Sequence, residues 1–331
     1  MLSGGLRSAH VRNAARLLTA GVAFLVLAAL LPAPAGAVAA GVFHVSTAGN
    51  DAADGGVTTP WRTIQKATST APPGSTIVVE GGTYGPFTVT QPGQTITAKP
   101  QQQVTVRGHA GVQDVVRVAA PGVTLLDLTV SGCVPRSAPA GGYEDNGSSL
   151  VRINDGATGV TVRNLTIRDG RGTNNHGLPF GCYGILVHNA DASRIVGNEI
   201  FNTGTGVYFN GGGKQAVVAD NRIHDNTVLI RNTPGGNDDY GANGVTFANV
   251  DAVPGAVATR NTIYNNAGPS SDYNFDGGAF EIYNASNVKI VGNMIANNEN
   301  VLETGTSPDG GNPLGDCVGN VFAGNQAGGR V

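Results

Sequence analysis

One short phrase keeps returning along this chain: an Asn, one or two residues, then an apolar residue. It stands at Asn164-Leu165-Thr166-Ile167, Asn198-Glu199-Ile200, Asn221-Arg222-Ile223, Asn261-Thr262-Ile263, Asn293-Met294-Ile295 and Asn320-Val321-Phe322. Short stretches of alternating polarity are interleaved with it, at 115–118, 150–153, 184–187, 206–209, 244–247, 279–282 and 301–304. Their starts are separated by 35, 34, 22, 38, 35 and 22 residues. A step of 22 residues fits one coil of three short strands and three turns. The longer steps fit one coil plus an insertion. Units of this kind bury a continuous core only against their neighbours. Alternation with a period of two excludes helical repeats. Asn side chains recurring at one corner of a stack are expected to hydrogen-bond up it in ladders.

Alternation also sorts the side chains. Val116/Val118, Val151/Ile153, Ile185/Val187, Val207/Phe209, Val245/Phe247, Phe280/Ile282 and Leu302/Thr304 are expected to point inward. One outward column then reads Arg117, Arg152, Leu186, Tyr208, Thr246, Glu281, Glu303. The next reads Ala119, Asn154, His188, Asn210, Ala248, Tyr283, Gly305. The insertions 131–149, 169–183, 231–243 and 266–277 all precede the same strand of a coil. They should stack on one edge and wall one face, and such loops on a rigid scaffold are where binding tends to sit. Cys133 and Cys182 lie in or beside insertions of adjacent coils, whereas Cys317 is several coils away. A Cys133–Cys182 disulfide is therefore expected.

Composition agrees with a turn-rich fold. Gly accounts for 50 of 331 residues, without collagen spacing, and Gly and Asn both tolerate the positive φ of tight turns. Residues 1–37 read as a secretory signal peptide. Arg7, Arg12 and Arg16 precede an apolar run at 17–31, and Ala35-Gly36-Ala37 offers a cleavage site, with Val38-Ala39-Ala40 as a second candidate. An uncleaved anchor is the alternative, although a run this short hardly spans a bilayer. No later segment is apolar enough to do so. Without the three leader arginines, 17 basic residues face 23 acidic ones, so the mature charge is near −6. That sign argues against a nucleic-acid binder. Gly211-Gly212-Gly213 is not a phosphate loop, because no Lys-Ser/Thr follows it.

The stretch 43–84 reads differently. Phe43-His44-Val45-Ser46, Gly49-Asn50-Asp51, Pro60-Trp61-Arg62-Thr63-Ile64-Gln65-Lys66-Ala67, Pro73-Gly74-Ser75-Thr76-Ile77-Val78-Val79 and Gly82-Thr83-Tyr84 suggest a strand, a turn, a short amphipathic helix and a return to strand. Ile64, Ala67 and Thr68 give that helix a buried side, suited to covering the open end of a stack. This stretch resembles the N-terminal cap of secreted right-handed parallel β-helix proteins of the pectate-lyase-like superfamily. The resemblance implies an all-β solenoid, with a cap and first strands over 41–100 and coils over 101–331. It also implies secretion and a polysaccharide partner. The superfamily includes polysaccharide lyases, glycoside hydrolases, uronate epimerases and proteins without known catalysis, so no reaction follows from it.

Among candidate catalytic groups, Glu281 and Glu303 stand first. Their 22-residue step places them on adjacent rungs, about 4.8 Å apart along the stack. Like charges so placed destabilise a sheet, and paired carboxylates at this spacing suit a retaining glycosidase. Splayed, solvated surface glutamates are the alternative. Asp238, Asp239, Asp272 and Asp276 form an acidic loop set that could hold Ca²⁺, or serve as ordinary turn formers. Calcium-dependent β-helix lyases also need a Lys or Arg base. The mature part has few lysines, and Lys214 and Arg231 are the nearest candidates. Tyr208, Tyr240, Tyr273 and Tyr283 could stack on sugar rings, with His188 and Asn210 as further substrate contacts. His176 and His188 could serve as a base, or be plain surface residues. The expectation is a secreted, monomeric protein that cleaves a polysaccharide, hydrolase ahead of lyase, with a non-catalytic glycan-binding surface protein as the rival.

Overall fold

The structure, a computed structural model, describes residues 39–136, 147–305 and 319–328. The expected leader, Cys317 and part of the first insertion lie outside these residues. Within them the chain winds as a parallel β-helix whose three long sheets contain 10, 9 and 8 strands. A coil without insertion runs Arg194–Val196, Glu199–Phe201, Thr205–Gly212, and the next coil begins at Val217–Ala219. Each coil adds one strand to each sheet, so every partner in a sheet lies a full coil away in sequence.

The expected inward pairs are buried from Val116 through Ile282, none more than 3% exposed. Phe209 and Phe247 stack along the core with ring centroids 5.2 Å apart. The last rung departs from the expectation. Leu302 is half-buried and Thr304 exposed, because Asn300–Gly305 lies at the edge of its sheet. The stack also begins one rung earlier than the repeat suggested, at Phe87–Val89, which pairs with Asp114–Val118.

The recurring Asn has a structural cause. Each coil passes from the 10-stranded to the 9-stranded sheet through a residue of positive φ: Asp127, Asn164, Gly197, Asp220, Arg260, Gly292, Gly324. From Gly197 onward an Asn follows that residue. Asn198, Asn221, Asn261, Asn293 and Asn325 form a ladder of side-chain amide bonds, each 2.9 Å. Each interior Asn also serves the backbone. The Asn261 carboxamide oxygen accepts from the Asn221 main chain at 3.0 Å, and its amide donates to Val218 O at 2.9 Å. A second ladder, Asn226, Asn266, Asn298, lines the next corner.

The helix Ile64–Thr70 covers the first rung as expected, burying Ile64, Ala67 and Thr68. It also closes the sheet edge chemically. Gln65 accepts from Thr88 N at 2.9 Å and Thr68 Oγ1 donates to Thr88 O at 2.8 Å, so both main-chain groups of an edge residue are satisfied. Among the described residues no helix is long and apolar enough to cross a membrane.

The insertions stack on one another beside the 8-stranded sheet. Arg171–Thr173, Pro179–Gly181, Leu229–Arg231 and Tyr240–Gly241 form a side sheet of their own, and Gly268–Ser270 pairs with Asn274–Asp276. Asn174 donates to Asn232 O and Asn232 to Pro269 O, linking three insertions. Cys133 and Cys182 are disulfide-bonded, with Cα atoms 6.3 Å apart.

Candidate active site

The C-terminal end of the 8-stranded sheet and the last two insertions enclose a cavity of about 600 Å³. Its floor includes Tyr208, Asn243, Glu281, Tyr283 and Glu303, while Asp238, Asp239, Tyr240, Tyr273, Phe275 and Asp276 supply its walls. The floor follows from register. Tyr208, Thr246, Glu281 and Glu303 are successive partners in one column, as the alternation required. Asn243, Gly278 and Asn300 form a second column three residues earlier. Gly278 has no side chain there, and a Cβ would come within 3.0 Å of Asn300 O.

Glu281 is partly buried and held from one side. Asn243 Nδ2 and Thr246 Oγ1 both donate to its Oε2, at 2.8 and 3.0 Å. Burial, then the neighbouring Glu303 charge, pushes the Glu281 carboxyl up to about 7 in spite of these donors. Glu303 is exposed by area, yet desolvation still raises its carboxyl. Asp276 is raised to about 7, by burial first, then by Glu303 and Asp239. The Tyr273 phenol is raised too, by desolvation and then by the charges of Asp272, Asp276, Asp239 and Asp238. Five carboxyl groups thus border one cavity.

The four expected tyrosines and the Glu pair all line this cavity. Other expected residues do not. His188 pairs with Asp155 at 2.6 Å, and Asn210 accepts from Asn249 at 3.0 Å, both outside the lining. Lys214 borders a separate hollow with Asp191 and Asp251. Arg231 is paired with Asp238. His176 sits between the strands Arg171–Thr173 and Pro179–Gly181, where its main-chain N–H donates to Asn174.

The acidic loop set divides. Asp238, Asp239 and Asp272 converge, but Asp276 turns out to belong with the glutamates. The convergent three are met largely by protein donors. Asp239 Oδ2 accepts from Ser270 Oγ and from both the main chain and hydroxyl of Ser271, and its Oδ1 accepts from Thr233 N. Asp272 Oδ2 accepts from the main chain of Asp238 and Asp239. Asp238 pairs with Arg231 through Oδ2, while its buried Oδ1 meets no donor among the described residues. Ca²⁺ asks for six to eight oxygens, and Asp239 and Asp272 have few left to give. These aspartates staple two insertions together.

Sequence reasoning missed Asn243, Phe275 and Asn300. The signal for Asn243 was its place three residues before Thr246, the partner of Glu281. Alternation alone does not show that such a residue reaches across a rung.

No protein-family model and no curated protein matches this chain. Among solved structures, a pectin methylesterase in complex with a hexasaccharide superposes with a TM-score of 0.51 at 12% identity, covering 87% of this chain and 89% of that one. The fold is a right-handed parallel β-helix. Weaker matches to this β-helix include a pectate lyase, with a TM-score of 0.47, 14% identity and coverage of 88% and 80%. A lacto-N-biosidase from Eubacterium ramulus matches with a TM-score of 0.46, 12% identity and coverage of 87% and 68%. At such identities the likeness concerns the β-helix itself.

Proposed function

We propose that this β-helix is a carbohydrate-active enzyme that hydrolyses a polysaccharide in the carboxylate cavity. The observation that carries this reading is the Glu281/Glu303 pair. Two carboxyl groups stand on consecutive rungs, in a cavity walled by tyrosines, and both have raised affinity for a proton. Glycoside hydrolysis needs one carboxyl that carries a proton near neutrality and one that stays charged.

Glu281 is assigned as the acid. Asn243 and Thr246 converge on Oε2, so the proton resides on Oε1 and passes to the glycosidic oxygen as the bond breaks. Glu303, the more exposed carboxylate, attacks the anomeric carbon. Glu281 then takes a proton from the water that releases the sugar. Rung spacing of about 4.8 Å suits this double displacement and retention of configuration. The tyrosines offer apolar ring faces to the sugar. A lyase mechanism is less well supported, because among the described residues no Lys, Arg or His lines the cavity to act as base. The Cys133–Cys182 disulfide supports export to an oxidising compartment.

The test is turnover on a polysaccharide panel, following both reducing ends and unsaturated-uronate absorbance. Glu281→Gln and Glu303→Gln should each lower the release of reducing ends by about 10²–10⁴-fold with the fold retained. A double Gln variant with wild-type turnover would remove the assignment. Binding of a glycan without turnover, equal in wild type and variants, would establish a non-catalytic binder instead.

A further inference from the structure

We infer that the sugar seated in this cavity carries a free amino group, so that the substrate class is a cationic, amine-bearing polysaccharide. The inference rests on reading the cavity as a saccharide-cleaving site, and it concerns which saccharide that is.

The first observation is the sign of the lining. Asp238, Asp239, Asp276, Glu281 and Glu303 all border the cavity, and among the described residues no Lys, Arg or His does. Arg231 is paired with Asp238. Among the described residues no other ion pair neutralises any of the five. A uronate placed here would set its carboxylate against several others without a counter-charge. That repulsion is costly where water is partly excluded.

The second observation is an acceptor without a donor. Asn243 is 2% exposed and borders the cavity beside Glu281. Its amide donates to Glu281, while its Oδ1 meets no hydrogen-bond donor in the structure. A buried polar atom left so is costly unless something supplies the missing donor. With the five carboxyl groups, this unmet acceptor gives a donor-rich ligand several places to bind. A sugar ammonium brings three N–H groups and a positive charge.

The aromatic walls fit the same ligand. Tyr208, Tyr240 and Tyr283 border the cavity, and Tyr273 and Phe275 remain 43% and 41% exposed along the wall. Aromatic faces attract cations as well as the apolar faces of sugars. A metal ion is the weaker occupant. Of the convergent acidic group Asp238, Asp239 and Asp272, the last two are already engaged by protein donors and Asp238 is paired with Arg231.

The experiment is calorimetric titration of the full chain carrying Glu281→Gln, which slows turnover. Probes are glucosamine and galactosamine oligomers, their N-acetylated counterparts and galacturonate oligomers of equal length. Turnover of the same panel is measured on the wild type. The amine oligomers should bind about tenfold or more tightly than the acetylated ones, since charge-assisted hydrogen bonds are roughly twice as strong as neutral ones. Adding Asp276→Asn should shrink that preference several-fold, with an unchanged circular-dichroism spectrum as the folding control. If Asp276→Asn does not fold, Glu303→Gln serves in its place. Equal binding of amine and acetylated oligomers, or tightest binding of the uronate, overturns this inference and leaves the saccharide site standing. If no oligomer is bound or cleaved, both readings fall.

Discussion

Glu281 and Glu303 are register partners on neighbouring parallel strands, and among the described residues no basic side chain borders the cavity they share. A sheet tolerates like charges opposite each other poorly. Here one member is partly buried as well, and its proton affinity rises accordingly.

That relationship makes stability depend on pH. An unfolded Glu ionises near 4.3, whereas folded Glu281 does so at about 7. Between those values the folded state holds the extra proton. The contribution is therefore present at low pH and is lost as pH rises through about 7. Glu281→Gln should raise the melting temperature relative to wild type at pH 8 by a few degrees, on the order of 2 kcal/mol after screening by solvent, and leave it unchanged at pH 4. Equal shifts at both values would show that Glu281 is not held protonated by its surroundings.

Asn243 and Thr246 bind the charged form of Glu281 and so hold its carboxyl below where burial alone would put it. Thr246→Val and Asn243→Leu should each raise that carboxyl further. If Glu281 is the acid, the basic limb of the pH–rate profile moves to higher pH in both variants. A loss of rate with an unmoved limb would assign these residues a packing role alone.

The Asn261 side chain makes four hydrogen bonds in the corner ladder, to Asn221, Asn293 and Val218. Asn261→Leu leaves donors and acceptors on three coils unmatched. Each unsatisfied buried group costs about 1–3 kcal/mol, so a loss of roughly 3 kcal/mol or more is expected in denaturant unfolding. Asn265→Ala, at an exposed turn position one coil corner away, should cost well under half of that.

The disulfide closes a loop with a sequence separation of 49 residues. By loop-closure entropy its removal should cost about 4 kcal/mol at most. The Cys133→Ser/Cys182→Ser pair should unfold at lower denaturant concentration than wild type, and reductant should shift the wild type to the same midpoint. Coincident curves for the oxidised wild type and the double variant would mean that the bond adds no stability.

How much of this was legible in the sequence follows from the periods involved. Strand alternation has a period of two and the coil a nearly fixed length, so the inward residues, the Glu281/Glu303 register and the Asn ladders could be read directly. The Cys133–Cys182 pairing was legible for the same reason, since the insertions had to leave the coil at one corner. Residues within insertions have no such clock. Asp276 looked like a fourth member of an acidic loop set, and the folded hairpin Gly268–Ser270/Asn274–Asp276 turns it toward the glutamates instead. His188 and Asn210 were placed in the right column, but too far from the end of the stack where the walls close.

The sequence by itself determined a stacked, parallel coil, the face that each strand residue takes and the corner from which the insertions rise. Those properties rest on local backbone geometry repeated coil after coil. Tertiary structure decided which carboxylates are charged, which are stapled by Ser270, Ser271 and Thr233, and which aromatic rings share a cavity with them. Burial and hydrogen bonding set proton affinity, and both depend on how insertions distant in sequence pack together in space.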